Sequence, residues 1–131
     1  AALFALVRIA PTPSSAVTPS AAVEAIKGAG VKRVLNDYDI GGYMIWAGLP
    51  TFVDGRAELY GEDFLLRYRN AVLLSDLAGL IRLLDDYDID ATLLSPRLPA
   101  VAWFDREPGW KRLYADDVAV VHVRTGAATN R

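Results

Sequence analysis

The chain has 131 residues, 53% hydrophobic and 23% charged, with 14 Lys and Arg against 16 Asp and Glu for a net charge of −2. This length carries one domain; the charge balance excludes a nucleic-acid-coating module, which needs a basic excess, and the apolar share excludes a disordered tail. With no Cys and a single His, disulfides, Cys nucleophiles, thiolate metal centres and multi-His zinc sites within one chain are excluded as well, and neither a cofactor nor a metal is expected.

Ala1–Val7 is apolar and uncharged and is followed by Arg8. It reads either as a first strand, Leu3–Ile9, or as the last turns of a spanning helix whose remainder precedes it. The absence of an initiator Met fits a piece of a larger protein. No basic start precedes the apolar run, so it is not a signal peptide. Pro11–Ser20 has the Pro/Ser composition of a linker. The expected organisation is therefore an N-terminal segment over residues 1–20, one domain over 21–124, and a tail over 125–131.

Thr18-Pro19 is expected to open a helix, with Thr as N-cap and Pro in its first position. Ala22, Val23 and Ile26 form the apolar face, and Gly28 and Gly30 end it, one of them left-handed. Val31–Leu35 and Thr51–Val53 read as short buried strands. Between them, Ile40–Val53 is the longest apolar run without a charge. It falls short of the roughly 20 residues that cross a bilayer, and Gly41, Gly42, Gly48 and Pro50 interrupt it. Gly41-Gly42 marks a sharp bend before a short helix, with Asp39 placed to cap it.

Glu62–Val72 is expected as a helix with Phe64, Leu65, Tyr68 and Val72 on one face. Ser75 is expected to cap another, in which Leu77, Leu80, Ile81 and Leu84 follow helical spacing. The tetrapeptide Asp-Tyr-Asp-Ile occurs at Asp37–Ile40 and Asp86–Ile89, in different local contexts, and is not a repeat. Asp88 is expected in a helix-terminating turn. Ala91–Leu94 is a strand, Leu98–Arg106 a short helix, and Trp110–Tyr114 with Val118–Val123 a hairpin turning at Asp116-Asp117. Alternating strands and helices imply an α/β fold: a mainly parallel sheet of about four or five strands, helices on both faces, ending in an antiparallel hairpin.

Ligands of open parallel sheets bind beyond the carboxyl ends of the strands. Asn36, Asp37, Tyr38 and Asp39 follow one expected strand, Asp54, Arg56 and Glu58 the next, and Arg97 the third. Together they offer acids, an amide and guanidinium groups for sugar hydroxyls, a phosphate or a divalent ion. The blander alternative is that they cap turns and form surface ion pairs. Asp37-x-Asp39 and Asp86-x-Asp88-x-Asp90 depart from the calcium loop, because Gly48 and Arg97 stand where its twelfth-position Glu belongs. Gly28-x-Gly30 ends a helix and so is not a dinucleotide fingerprint, and no phosphate loop is present. His122, within Val-Val-His-Val, lies near no nucleophile elbow and reads as a strand residue without a catalytic role. Tyr38, Tyr43, Trp46, Phe52 and Tyr60 read as packing aromatics, with sugar stacking as the alternative.

The stretch Val34-Leu-Asn-Asp-Tyr-Asp-Ile-Gly-Gly-Tyr-Met-Ile-Trp46 and the element Asp54-Gly-Arg-x-x-x-Tyr-Gly61 carry a resemblance. Asp88–Leu94 and Pro108–Val121 agree with it. From about Val31 to Arg124 the chain resembles the extracytoplasmic C-terminal domain of bacterial multi-span membrane proteins, similar to lipid-linked-sugar glycosyltransferases of the oligosaccharyltransferase and mannosyltransferase type. The resemblance implies a non-catalytic domain on the periplasmic side, attached through membrane spans that precede it. Its implied partners are the transmembrane part of its own parent chain and a glycan or lipid-linked sugar; no nucleic acid is expected. The family's catalytic acids lie in loops between spans and have no counterpart here. Oligosaccharyltransferase relatives use a Trp-Trp-Asp-Tyr-Gly motif to recognise acceptors. Asn36-Asp37-Tyr38-Asp39 lies at a comparable place, without the tryptophans and with Asp39 where Gly would stand, so acceptor-peptide binding does not carry over. The alternatives are a free-standing sugar- or phosphate-binding module and a small enzyme using Asp37, Asp39 or Asp54.

Overall fold

The computed structural model describes residues 19–53 and 61–125. The expected strand Leu3–Ile9 lies outside them. Helix α1 spans Ser20–Ala29, with Pro19 as its N-cap, one position earlier than the expected place inside the helix. Pro19 has a non-helical backbone, and its carbonyl accepts the Val23 N–H at 2.9 Å. Gly30 closes the helix in the left-handed conformation at φ 71°, which glycine adopts without a Cβ penalty.

Strand β1 (Val34–Asn36) leads into a 3-10 turn at Tyr38–Ile40 and the short helix α2 (Gly41–Trp46). Helices α3 (Glu62–Val72) and α4 (Leu77–Asp86) follow. Asp76, not Ser75, caps α4, accepting from the Gly79 N–H at 2.8 Å. Asp76 packs so closely that a Cβ at Gly79 would lie 2.5 Å from its carboxylate, so glycine is what lets the cap seat. After α4, Asp88 takes φ 52°, the left-handed turn expected there. Strand β2 is Ala91–Leu94, helix α5 is Pro99–Arg106, and strands β3 (Trp110–Ala115) and β4 (Val120–Arg124) form the hairpin.

Among the described residues, the strands form one four-stranded sheet in the order β1-β2-β4-β3. Only β1 and β2 are parallel, with Val34 opposite Ala91 and Asn36 opposite Leu93. Strand β4 runs antiparallel to both β2 and β3. The expected mainly parallel sheet is therefore a mixed one. The reason is topological: the hairpin enters with its second strand against β2, so two of three pairings are antiparallel. The hairpin turn is also longer than a two-residue one. Asp116 organises it by accepting from the Val118 and Ala119 N–H groups at 2.8 and 2.9 Å.

Thr51–Val53, expected as a strand, is not one, although Val53 is fully buried. Strands β1 and β2 are buried at every position, because both sheet faces are covered. Ala22, Val23 and Ile26 of α1, with Ile40 and Met44, pack on Val34, Ala91, Leu93 and Val121. Helices α3, α4 and α5 pack on the other face, over Leu35, Leu94 and Val120. Edge strand β3 is mostly exposed and carries Lys111 and Arg112, charges that blunt an open edge.

Phe104 is fully buried and meets Trp103 and Trp110 edge-on at centroid distances of 5.0 and 4.7 Å. Phe104→Ala is expected to lower unfolding free energy by roughly 3–5 kcal/mol, the usual range for an emptied aromatic site, measured by urea denaturation.

Candidate functional site

Because β1 and β2 are parallel neighbours, their carboxyl ends do meet, as the sequence expectation required. The polar side chains there bind the protein's own backbone. Asn36 is fully buried. Its carbonyl accepts from the N–H groups of Phe52 and Val53 at 2.7 and 3.2 Å, and its amide donates to the carbonyls of Val53 and Asp37 at 2.6 and 2.8 Å. One side chain thus fastens residues 52–53 beside β1, which explains how Val53 is buried without being in a strand. From α3, the Tyr68 hydroxyl donates to the Asn36 backbone carbonyl at 2.8 Å.

Asp37 extends the β1–β2 ladder through its N–H to the Leu93 carbonyl at 2.8 Å. One carboxylate oxygen accepts from the Asp39 N–H at 2.8 Å and the other from the Ser95 N–H at 3.2 Å. Asp37 therefore caps the 3-10 turn, because its side chain directly precedes the free amides; Asp39, expected to cap α2, does not, since the N-cap of α2 is Ile40 and no side chain bonds its first amides. Burial pushes its carboxyl above the usual range; the two amide hydrogen bonds oppose this, and the charge of Asp39 adds to it. Burial likewise pushes the Tyr68 hydroxyl up.

A buried acid of raised pKa near a second carboxylate is the arrangement acid–base chemistry needs. Here both Asp37 oxygens are occupied by amides and the residue is 8% exposed, so the geometry is that of a structural cap. Asp39 is exposed and Tyr38 half-buried against the core. Arg97 is exposed; its N–H donates to the Ser95 hydroxyl at 3.3 Å. Asp54, Arg56 and Glu58 lie outside the described residues, as does Tyr60. Of the other aromatics, Phe52 packs on Phe64, Tyr68 and Tyr87, but Trp46 points outward and is 59% exposed.

A second polar cluster lies on the other half of the sheet. Asp105 of α5 accepts both Nε and Nη2 of Arg112, at 3.0 and 2.6 Å, and lies 2.7 Å from Nε2 of His122. The His122 side chain is fully enclosed, on the Phe104 side of β4. Its Nδ1 has no partner among the described residues, nor does Oγ1 of Thr92, the residue opposite it on β2. The sequence marks His122 but not Asp105 and Arg112, which are seven residues apart and meet only because α5 folds back over β3. The Arg112 hydrogen bond holds the Asp105 carboxyl below its usual range, assisted by His122. Burial holds the His122 imidazole below its ordinary value of 6.5, against the pull of Asp105.

Removing the Asn36 side chain strips three backbone groups of residues 52–53 of their partners. At about 1 kcal/mol or more for each unsatisfied buried group, Asn36→Ala is expected to destabilise the fold by roughly 3 kcal/mol, read from the urea midpoint. For His122, the unfolded chain takes up a proton as pH falls through 6.5 while the folded chain resists. The associated stability is present above that value and lost as pH falls toward the lower folded pKa. Melting temperature is expected to drop between about pH 7.5 and about pH 5.5, and His122→Gln to flatten that drop.

No protein-family model, no curated protein and no solved structure matches this chain.

Proposed function

We propose that this chain is a non-catalytic, extracytoplasmic C-terminal domain of a multi-span, glycosyltransferase-like membrane protein, helping to bind or position the acceptor. The observation that carries this proposal is the outer surface of α2. Ile45 and Trp46 are 48% and 59% exposed side by side, within the charge-free run Ile40–Val53. The Trp46 ring is steadied by Tyr43 at a centroid distance of 5.1 Å. An exposed tryptophan beside an aliphatic residue, with no charge on the segment, suits the interfacial zone at a bilayer surface and a seat against membrane-embedded segments of the same chain. The resemblance over Val31–Arg124 points the same way. The non-catalytic role is supported by Asn36 and Asp37, whose polar atoms hold the backbone together.

The absence of cysteine makes the placement testable. Ser75 is exposed in the α3–α4 connection. In the full-length parent carrying Ser75→Cys, a membrane-impermeant maleimide is expected to label the new thiol in intact spheroplasts, relative to the parent without the substitution. Labelling that appears only after lysis overturns the proposal.

A further inference from the structure

We propose that Thr92 is a two-way hydrogen-bond partner of His122: its hydroxyl donates to Nδ1 of the neutral imidazole and accepts from Nδ1–H once the ring is protonated, so the fold charges this enclosed residue without opening. The two residues face each other in register across β2 and β4. Opposite side chains of an antiparallel pair leave the same face of the sheet, with Cβ atoms about 4.5–5.5 Å apart. Both side chains are fully buried. Thr92 Oγ1 and His122 Nδ1 are the buried side-chain polar atoms that lack a partner among the described residues. Each can satisfy the other, and leaving both unpaired would cost the desolvation of both.

The far side of the ring fixes which nitrogen carries the hydrogen. Asp105 accepts Nε and Nη2 of Arg112 at 3.0 and 2.6 Å and lies 2.7 Å from His122 Nε2. The bidentate guanidinium keeps that carboxyl ionised, and an ionised carboxylate only accepts. Nε2 of the neutral ring therefore carries the hydrogen, and Nδ1 is left with a lone pair. Nδ1 is bonded to Cγ and stays close to the sheet, at the height a Thr hydroxyl reaches one bond beyond Cβ. Rotation about χ1 of Thr92, or one bridging water, closes the remaining gap.

The charges that face the ring are Asp105 from α5 and Arg112 from β3. From β2 comes the uncharged Thr92, and from α5 the Phe104 ring at a centroid distance of 5.5 Å. Asp105 favours the imidazolium, whereas burial and Arg112 oppose it. A hydroxyl meets both forms by rotating: it gives its hydrogen to a lone pair, or turns its own lone pair to an N–H. A valine of the same shape meets neither. The bond to the charged ring is the stronger of the two, so Thr92 raises the proton affinity of His122 and limits how far burial depresses it. The stability lost below pH 6.5 then stops falling once the folded chain takes up its own proton. The device does not depend on membrane attachment, so labelling of Ser75→Cys only after lysis would leave it standing.

A single His makes the test direct. In the untagged, ¹⁵N-labelled 131-residue chain the ring nitrogens of His122 give the only imidazole signals, and their couplings to Hδ2 and Hε1 tell Nδ1 from Nε2. At about pH 7.5, above the ordinary imidazole range, the hydrogen is expected on Nε2, with Nδ1 at the position of a lone pair that accepts a hydrogen bond. Thr92→Val is expected to move the Nδ1 signal to that of a lone pair without a donor, and to weaken proton binding by His122 in the folded chain about tenfold. Thr92→Ser, which keeps the hydroxyl, is expected to match the parent in both. The proposal is overturned by a hydrogen on Nδ1 of the neutral ring, by an unmoved Nδ1 signal in Thr92→Val, or by a proton affinity that is unchanged or raised in that variant.

Discussion

Among the described residues, strand β1 lies at the edge of the sheet and yet is buried at every position. An edge strand in that situation needs partners for its outward backbone groups without a neighbouring strand to provide them. The Asn36 backbone carbonyl finds one in the Tyr68 hydroxyl, and the Asn36 side chain holds residues 52–53 alongside the strand. Asp37 ties the turn after β1 to the residue after β2. The placement of α2, the burial of Val53 and the docking of α3 all hang on this one knot of hydrogen bonds.

The same knot explains why Asn36 and Asp37 are poor candidates for ligand contact. A carboxylate that accepts two amides is electrostatically satisfied, and moving it toward a substrate would orphan both donors. The exposed aromatic and aliphatic surface lies elsewhere. Ile45 and Trp46 face outward on one side of the molecule.

Charge is handled differently on the two halves of the sheet. Around Asp37 the desolvation of a carboxylate is offset by backbone dipoles alone. Around Asp105 the offset comes from a bidentate guanidinium on the edge strand, with the enclosed imidazole of His122 as a further donor. Arg112 is on β3 and His122 on β4, opposite one another in register, so a single carboxylate on α5 binds the helix to both strands of the hairpin.

Local sequence determined the elements whose signals are local. Glu62–Val72 and Ala91–Leu94 have the boundaries their periodicity implies, and the left-handed turns at Gly30 and Asp88 follow from how those helices end. The two-sided burial of Ala91–Leu94 is legible in its mostly apolar composition, whereas that of β1, which follows Lys32 and Arg33 and ends on Asn36, is not. What the sequence left open depended on contacts between distant residues. Thr51–Val53 has the composition of a strand, but its outward partner is a side chain from 17 residues away, so no backbone ladder forms. Parallel or antiparallel pairing was decided by which hairpin strand meets β2, a choice made by packing between α1 and α5. Asp105, Arg112 and His122 meet from three separate elements, α5, β3 and β4. Periodicity encodes the buried face of each element, but the meeting of side chains from different elements is fixed only when the core closes.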